Sequence, residues 1–281
     1  MKITAIILTK NEEKNIERAI KSVEFCDEIL IVDDLSTDGT IERIRNSKFE
    51  VRKFEHDSNG NFSAQRNWAM GKAKNEWILF VDADEEVSKE LQKNITNVIA
   101  SDSEAIPNEI AASFSDSEDS LPAGRQARND INAFYIKRRD FWWGSELKYG
   151  ETFEARNGGI IRLIKKGSGE WKGTVHEKFV TDLPIGQLEG FLNHYPHQTL
   201  KEFIQDINVY STNRARELQK QGKKGGILPI LLYPPAKFIL TYFIYLGFLD
   251  GAAGFAYAFL MSFHSFLVRA KLFQYTRIDN K

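Results

Sequence analysis

Apolar positions in the first hundred residues switch repeatedly between a strand period and a helical one. The run Ile3-Thr4-Ala5-Ile6-Ile7-Leu8 predicts a first buried strand. It passes into the polar turn Thr9-Lys10-Asn11-Glu12, after which Ile16, Ala19, Ile20 and Val23 recur at helical spacing. Glu28 to Val32 predicts a second strand, running into Asp33-Asp34-Leu35-Ser36-Thr37-Asp38-Gly39-Thr40, whose residues suit a tight turn before a helix. Val51 to Phe54 is a weaker third strand. Ser63 to Lys74 reads as a helix turning Ala64, Trp68 and Met70 or Gly71 to a core, with Gln65, Arg66 and Asn67 on its other faces. Trp77 to Val81 is the next strand, followed by a helix with Leu91, Ile95, Val98 and Ile99 on one side. Strand–helix alternation of this kind predicts an α/β fold, a mostly parallel sheet with right-handed crossovers.

The pattern stops at 101–130, a stretch rich in Ser, Asp and Glu with Pro107 and Pro122, which reads as a solvated insertion. Strands resume at Ala133 to Lys137 and Ile160 to Ile164, and a helix carrying Phe203, Ile204, Ile207 and Tyr210 closes an expected catalytic domain of residues 1–222. From 223 to 281 the composition changes. Ile227 to Leu249 has Lys237 as its only charge, and Gly251 to Val268 has none. Pro234-Pro235 interrupts the first run and leaves Ala236 to Leu249 short of the roughly 20 residues that span a bilayer, while the second run, Ala252 to Val268, is at the lower limit. Lys220, Lys223 and Lys224 precede the pair and Arg269, Lys271 and Arg277 follow it, so both flanks read as cytoplasmic. The expectation is a helical hairpin lying in the cytoplasmic leaflet; a two-span hairpin and an apolar oligomer surface stay open.

Composition narrows this further. A chain of 281 residues accommodates one catalytic domain plus an appendage, and a net charge of −1 gives no general attraction to nucleic acid. Cys26 is the single cysteine, which excludes an internal disulfide or a cysteine metal cluster. The first apolar run is too short for a signal peptide, so the N-terminal domain is expected in the cytosol.

Trp77-Ile78-Leu79-Phe80-Val81 ends in Asp82-Ala83-Asp84-Glu85-Glu86, placing carboxylates at the edge of the sheet where α/β folds bind ligands. If the chain stays extended through Ala83, Asp82 and Asp84 can share one hard cation, Mg²⁺ or Mn²⁺, with positions left for a diphosphate. The alternative is an acidic first turn of the next helix.

Four stretches together, Ala5 to Glu12, Val32 to Thr40, Gln65-Arg66-Asn67 and Val81 to Glu85, resemble the successive motifs of family 2 glycosyltransferases. Arg162-Leu163, Val175-His176-Glu177 and Gly247-Phe248-Leu249-Asp250-Gly251 with Gly254 are similar to the subgroup that includes lipopolysaccharide-core β-glucosyltransferases. The resemblance implies a GT-A fold, a nucleotide-sugar donor, inversion at the anomeric carbon and a divalent metal. Residue by residue, it points to Thr9, Asn11, Glu12, Asp34, Arg66 and Asp82 around the nucleotide. Asp82, Asp84 and His176 would attend the metal, and Glu177 would be the base that takes the acceptor proton. Glu151 and Glu154 are the other candidate bases.

Each role has a structural rival: a turn or helix cap for Asp34, Asn11 and Glu12, a surface ion pair for Arg66, and a packed His176 with Glu177 bridging to Arg162. Trp142, Trp143, Tyr149 and Trp171 could floor an acceptor sugar or simply fill a core. The expected partners are therefore a nucleotide-sugar, read as UDP-linked, a cell-envelope glycan or lipid-linked acceptor, and the cytoplasmic leaflet, with no nucleic acid. A polyprenyl-phosphate glycosyltransferase and a non-catalytic membrane-docked nucleotide-sugar-binding protein are the alternatives.

Overall fold

A computed structural model describes residues 2–103, 131–173, 177–196 and 199–278. The expected insertion, from residue 104 on, and His176 lie outside the described residues. The chain forms two compact units, one of Met1–Arg138 with Gly158–Asn193 and one of Arg139–Asn157 with His194–Lys281.

The first unit is built on strands β1 (Ile3–Thr9), β2 (Glu28–Asp33), β3 (Arg52–Glu55) and β4 (Trp77–Asp82). They pair in parallel in the order β3-β2-β1-β4, and β4 then pairs antiparallel with Ile160–Lys165. Helices α1 (Ile16–Ser22), α2 (Thr40–Arg45), α3 (Phe62–Lys72) and α4 (Lys89–Ser103) alternate with these strands. The apolar runs are nearly continuous because both faces of the sheet are covered. Ala5, Ile7, Ile31, Leu79 and Val81 pack with Ile16, Ile20, Leu91 and Ile95 on one side. On the other, Ile6, Leu30, Ile78 and Phe80 meet Ala69, Ala73, Trp171 and Phe179.

Two local readings are corrected here. Ala83 and Asp84 form a turn rather than extended chain, and Glu85–Val87 follows as a short strand. In α3 the inward face carries Ser63, Gln65, Arg66 and Ala69, while Ala64 is exposed. The polar side chains that read as outward are thus the buried ones, and hydrogen bonds rather than apolar contacts hold them.

The second unit contains the hairpin made by the end of Ala133–Trp142 with Ser145–Leu147, the short helix α5 (Phe153–Asn157), and the long helices α6 (Leu200–Lys220), α7 (Ile227–Phe238) and α8 (Gly251–Ile278). Thr199 and Glu202 form a reciprocal capping box at the start of α6. Its apolar stripe lies along α8: Phe203 and Ile207 share a cluster with Trp142, Ala253 and Leu260, and Ala215 and Leu218 share one with Val268 and Leu272. This packing places 194–222 with the tail, so the division differs from the boundary at 222/223 drawn from composition.

Pro234 and Pro235 do not break the tail. The helix runs through them and continues as a π-helical turn, Ile239–Ile244, and the chain reverses only at Leu246–Gly251, where both end residues have positive φ. Continuity makes Ile227–Ile244 and Gly247–Arg277 helical stretches long and apolar enough to cross a membrane by length and composition, longer than the sequence runs implied.

Candidate active site

The site grows from the carboxyl ends of β1, β2 and β4. Thr9 and Asp33 are paired at the ends of their strands, and the Asp34 backbone N–H donates to the Thr9 carbonyl. The Asp34 carboxylate accepts from the Ser58 N–H at 2.8 Å, the Ser58 hydroxyl at 2.9 Å and the Lys10 ammonium at 3.0 Å. Burial pushes this carboxyl up, but those donors outweigh it and hold Asp34 below the usual carboxylate range.

The two polar loops interlock. Asn11 donates its backbone N–H to Ser36 Oγ and accepts the Thr37 N–H on Oδ1, while the Glu12 N–H donates to Thr40 Oγ1. Glu12 also supplies the carbonyl that opens α1, accepting from Asn15 and Ile16. Asn11 has φ of 57°, a left-handed conformation that Asn tolerates better than most residues. Its amide therefore braces the loop that presents Asp34.

Arg66 is the centre of the arrangement. It projects from the inward face of α3, buried, with its guanidinium over the rings of Trp171 and Phe80 at 5.0 and 5.2 Å. Its Nη2 donates to Asp82 Oδ1 at 2.9 Å and its Nε to Glu177 Oε1 at 3.1 Å. One side chain thus joins the acidic strand end to the expected base, which lies 111 residues beyond Arg66 in sequence. The ion-pair alternative foreseen for Glu177 pointed to Arg162; its hydrogen-bonded partner is Arg66 instead. Neighbouring Gln65 donates to the His56 carbonyl, and Asn67 makes a reciprocal pair with the Trp171 backbone.

A second arginine meets the same carboxylate. Arg162 Nη2 donates to Asp82 Oδ2 at 2.5 Å and to Glu85 Oε1 at 2.9 Å, and Glu85 Oε2 accepts the Asp82 N–H at 2.9 Å. Burial would raise the Asp82 carboxyl, but the two guanidinium charges hold it far below the usual range. Burial likewise opposes charge on Arg162, and Asp82 and Glu85 keep it protonated. Sequence reasoning did not give Glu85 or Arg162 a part in the site. Arg162 was visible as a lone cation within Ile160-Ile161-Arg162-Leu163-Ile164.

Around the site, Thr9 Oγ1, Asp33 Oδ1, Arg66 Nη1, Arg162 Nε and Trp171 Nε1 are among the polar atoms buried without a hydrogen-bond partner. Groups of that kind call for a ligand or ordered water. Asp82 is partly accessible, its side chain 31% exposed, and Asp84 is half-buried in the turn that follows. No group of three or more His, Cys, Asp or Glu side chains converges on one point among the described residues. Both oxygens of Asp82 face guanidinium groups. A divalent cation here would be held by one or two carboxylates and completed by phosphate oxygens and water, not by a cage made by protein alone. His176, expected as a further contact, is outside the described residues.

Glu151, an alternative base, is paired with Lys237 at 2.7 Å in the second unit. Trp171 and Trp142 are both buried, in different cores, so neither offers a face to an acceptor.

Residues 4–153 match the family described as Glycosyl transferase family 2. The chain is 28% identical to the lipopolysaccharide core biosynthesis glycosyltransferase LpsC of Rhizobium meliloti (strain 1021), over 97% of this chain and 92% of that one. It is 30% identical to an uncharacterized glycosyltransferase of Rickettsia bellii (strain RML369-C), over 96% and 86%. The structure of S. aureus TarS 1-349 in complex with UDP aligns over 100% of this chain and 92% of that one, at 15% identity and a TM-score of 0.44. With a mixed sheet whose parallel strand β4 ends in Asp82-Ala83-Asp84 and a family match across half its length, the chain belongs to glycosyltransferase family 2 and is a glycosyltransferase enzyme of GT-A fold.

Proposed function

We propose that this enzyme moves a sugar, with inversion, from a UDP-linked donor to a cell-envelope glycan such as a lipopolysaccharide core, at the cytoplasmic face of a membrane. The observation that carries this reading is the Arg66 bridge between Asp82 and Glu177. It gathers a strand-end acid, a cation with one unpartnered N–H group and a carboxylate suited to proton removal. In this reading Asp34, held ionised, accepts a hydrogen bond from the nucleoside. Arg66 Nη1 donates to a donor phosphate oxygen. Glu177 takes the acceptor hydroxyl proton as that oxygen attacks the anomeric carbon and the nucleoside diphosphate departs. Asp84, with Asp82 beside it, would hold Mg²⁺ or Mn²⁺, which supplies charge neutralisation to the leaving diphosphate.

The name of the Rhizobium relative supports the lipopolysaccharide acceptor. The tail supports the membrane: Leu228, Leu231, Leu232, Phe243, Ile244 and Phe259 are all exposed. Because α8 is packed lengthwise against α6, which carries Lys201, Asp206, Arg214 and Glu217, sending α8 across a bilayer would draw those charges toward hydrocarbon. That favours a tail lying in the interface over two spans.

The test is donor hydrolysis by the purified full chain over a panel of nucleotide-sugars with Mn²⁺. Slow, metal-dependent release of free sugar from a UDP-sugar is expected. No release from any donor, or undiminished release in EDTA, contradicts the reading.

A further inference from the structure

Trp142 pairs with Ser145 in the hairpin of the second unit, so Trp143 and Gly144 alone make its turn, and their φ angles are 50° and 72°. Two positive φ values in a two-residue hairpin loop define a type I′ turn, whose first position favours Asn, Asp or Gly. A bulky L-residue there is an outlier, since its Cβ crowds the following carbonyl. Trp143 is nevertheless 48% exposed, so burial does not explain it.

What the turn achieves is a fixed ring. Trp143 stacks on Trp142 with centroids 4.2 Å apart and planes 15° from parallel, and Trp142 is itself buried edge-on against Phe203 and Tyr257. One indole face is backed by the core and the other is presented outward. Its exposed hairpin neighbours are Gly144, Ser145 and Lys148, while Leu147 is buried. Within 141–148 Trp143 is the large apolar side chain that is exposed, and its outward surface is a single ring face. It matches the C–H face of a single pyranose, with polar groups at the edge for hydroxyls.

We propose that Trp143 is a pyranose-binding platform that receives a sugar of the glycan acceptor. The ligand assignment rests on the glycan-acceptor reading above; the strained, stacked ring is independent of it.

Saturation-transfer NMR on the full chain with methyl β-D-glucopyranoside, whose H1, H3 and H5 lie on one face, tests the platform alongside three variants. In the wild type those three protons should receive the strongest transfer. W143N installs the preferred Asn-Gly turn: it should melt at or above the wild-type temperature, bind UDP equally, and lose transfer at least fivefold. W143F and W143Y should retain it. Absence of transfer in the wild type, or equal transfer in W143N, overturns the proposal. So does a W143N chain that keeps sugar binding but loses phosphatidylglycerol vesicles, which would make Trp143 a lipid anchor. A fall in melting temperature together with lost UDP binding would assign Trp143 to packing and also overturn it. Donor hydrolysis is scored separately, so a sugar-binding chain with no hydrolysis would contradict the transferase reading and leave the platform standing.

Discussion

Arg162 Nη2 lies 2.5 Å from Asp82 Oδ2, and the same nitrogen reaches Glu85, whose side chain is 0% exposed. The strand-end carboxylate is therefore held from the side of the sheet by a cation that is itself neutralised from within. Removing one partner of a buried pair leaves a charge without compensation, which costs about 3–5 kcal/mol, whereas replacing both is often nearly neutral. Arg162→Met should destabilise by that order, and the Arg162→Met/Glu85→Gln double variant by distinctly less. Urea denaturation checks this; equal losses in the single and double variants would show that Arg162 and Glu85 are not coupled.

Asp84 stands in the turn after β4, half-buried and outside the apolar core. Asp84→Ala should shift stability by no more than about 0.5–1 kcal/mol, as expected away from core packing. It should abolish the thermal stabilisation that UDP and Mn²⁺ give together. Stabilisation equal to wild type would remove Asp84 from the metal site.

Acid should weaken the fold through Asp34 and Glu28. Glu28 is pushed up by burial, but the Thr4 hydroxyl, the Lys74 N–H and Arg52 more than reverse this, so both carboxyls titrate below their usual range. The unfolded chain then binds more protons in the acid range. Stability from these groups is complete above an unfolded carboxylate pKa of roughly 4 and is lost as pH falls through it toward the lower folded values. The urea midpoint should fall between pH 5 and pH 3, and Glu28→Gln should flatten that fall; an unchanged slope would show that Glu28 does not contribute.

Leu231 and Phe243 are 63% and 53% exposed on the tail. Replacing both by Glu should leave the melting temperature nearly unchanged and sharply reduce flotation with phosphatidylglycerol liposomes, because apolar insertion and attraction to anionic headgroups are both weakened. Donor hydrolysis should persist. Undiminished flotation would place the membrane contact elsewhere.

Why some of this was legible and some not follows from particular residues. The central strands could be read from the chain because Ile3–Leu8, Ile29–Val32 and Trp77–Val81 are covered on both faces, leaving unbroken apolar runs. Helix α3 could not be faced by periodicity, since its core side carries Gln65 and Arg66, whose burial depends on partners as distant as Glu177. The turn at Ala83-Asp84 was hidden because acidic residues suit a strand end, a turn and a helix start alike. The packed side of the tail was hidden for another reason: Val268 and Leu272 face α6, and composition alone cannot distinguish an apolar side that meets a helix from one that meets lipid.

The central claim is that the carboxylate joined to Asp82 through Arg66 removes the acceptor proton. Glu177→Gln preserves shape and removes the proton acceptor, and general-base catalysis contributes about 10²–10⁴ in rate. Steady-state transfer measured beside UDP calorimetry should show kcat lower by at least about 10² with the UDP Kd within about threefold of wild type. A collapse of UDP binding with turnover at saturation intact would contradict the account and make Glu177 a positioning partner of Arg66.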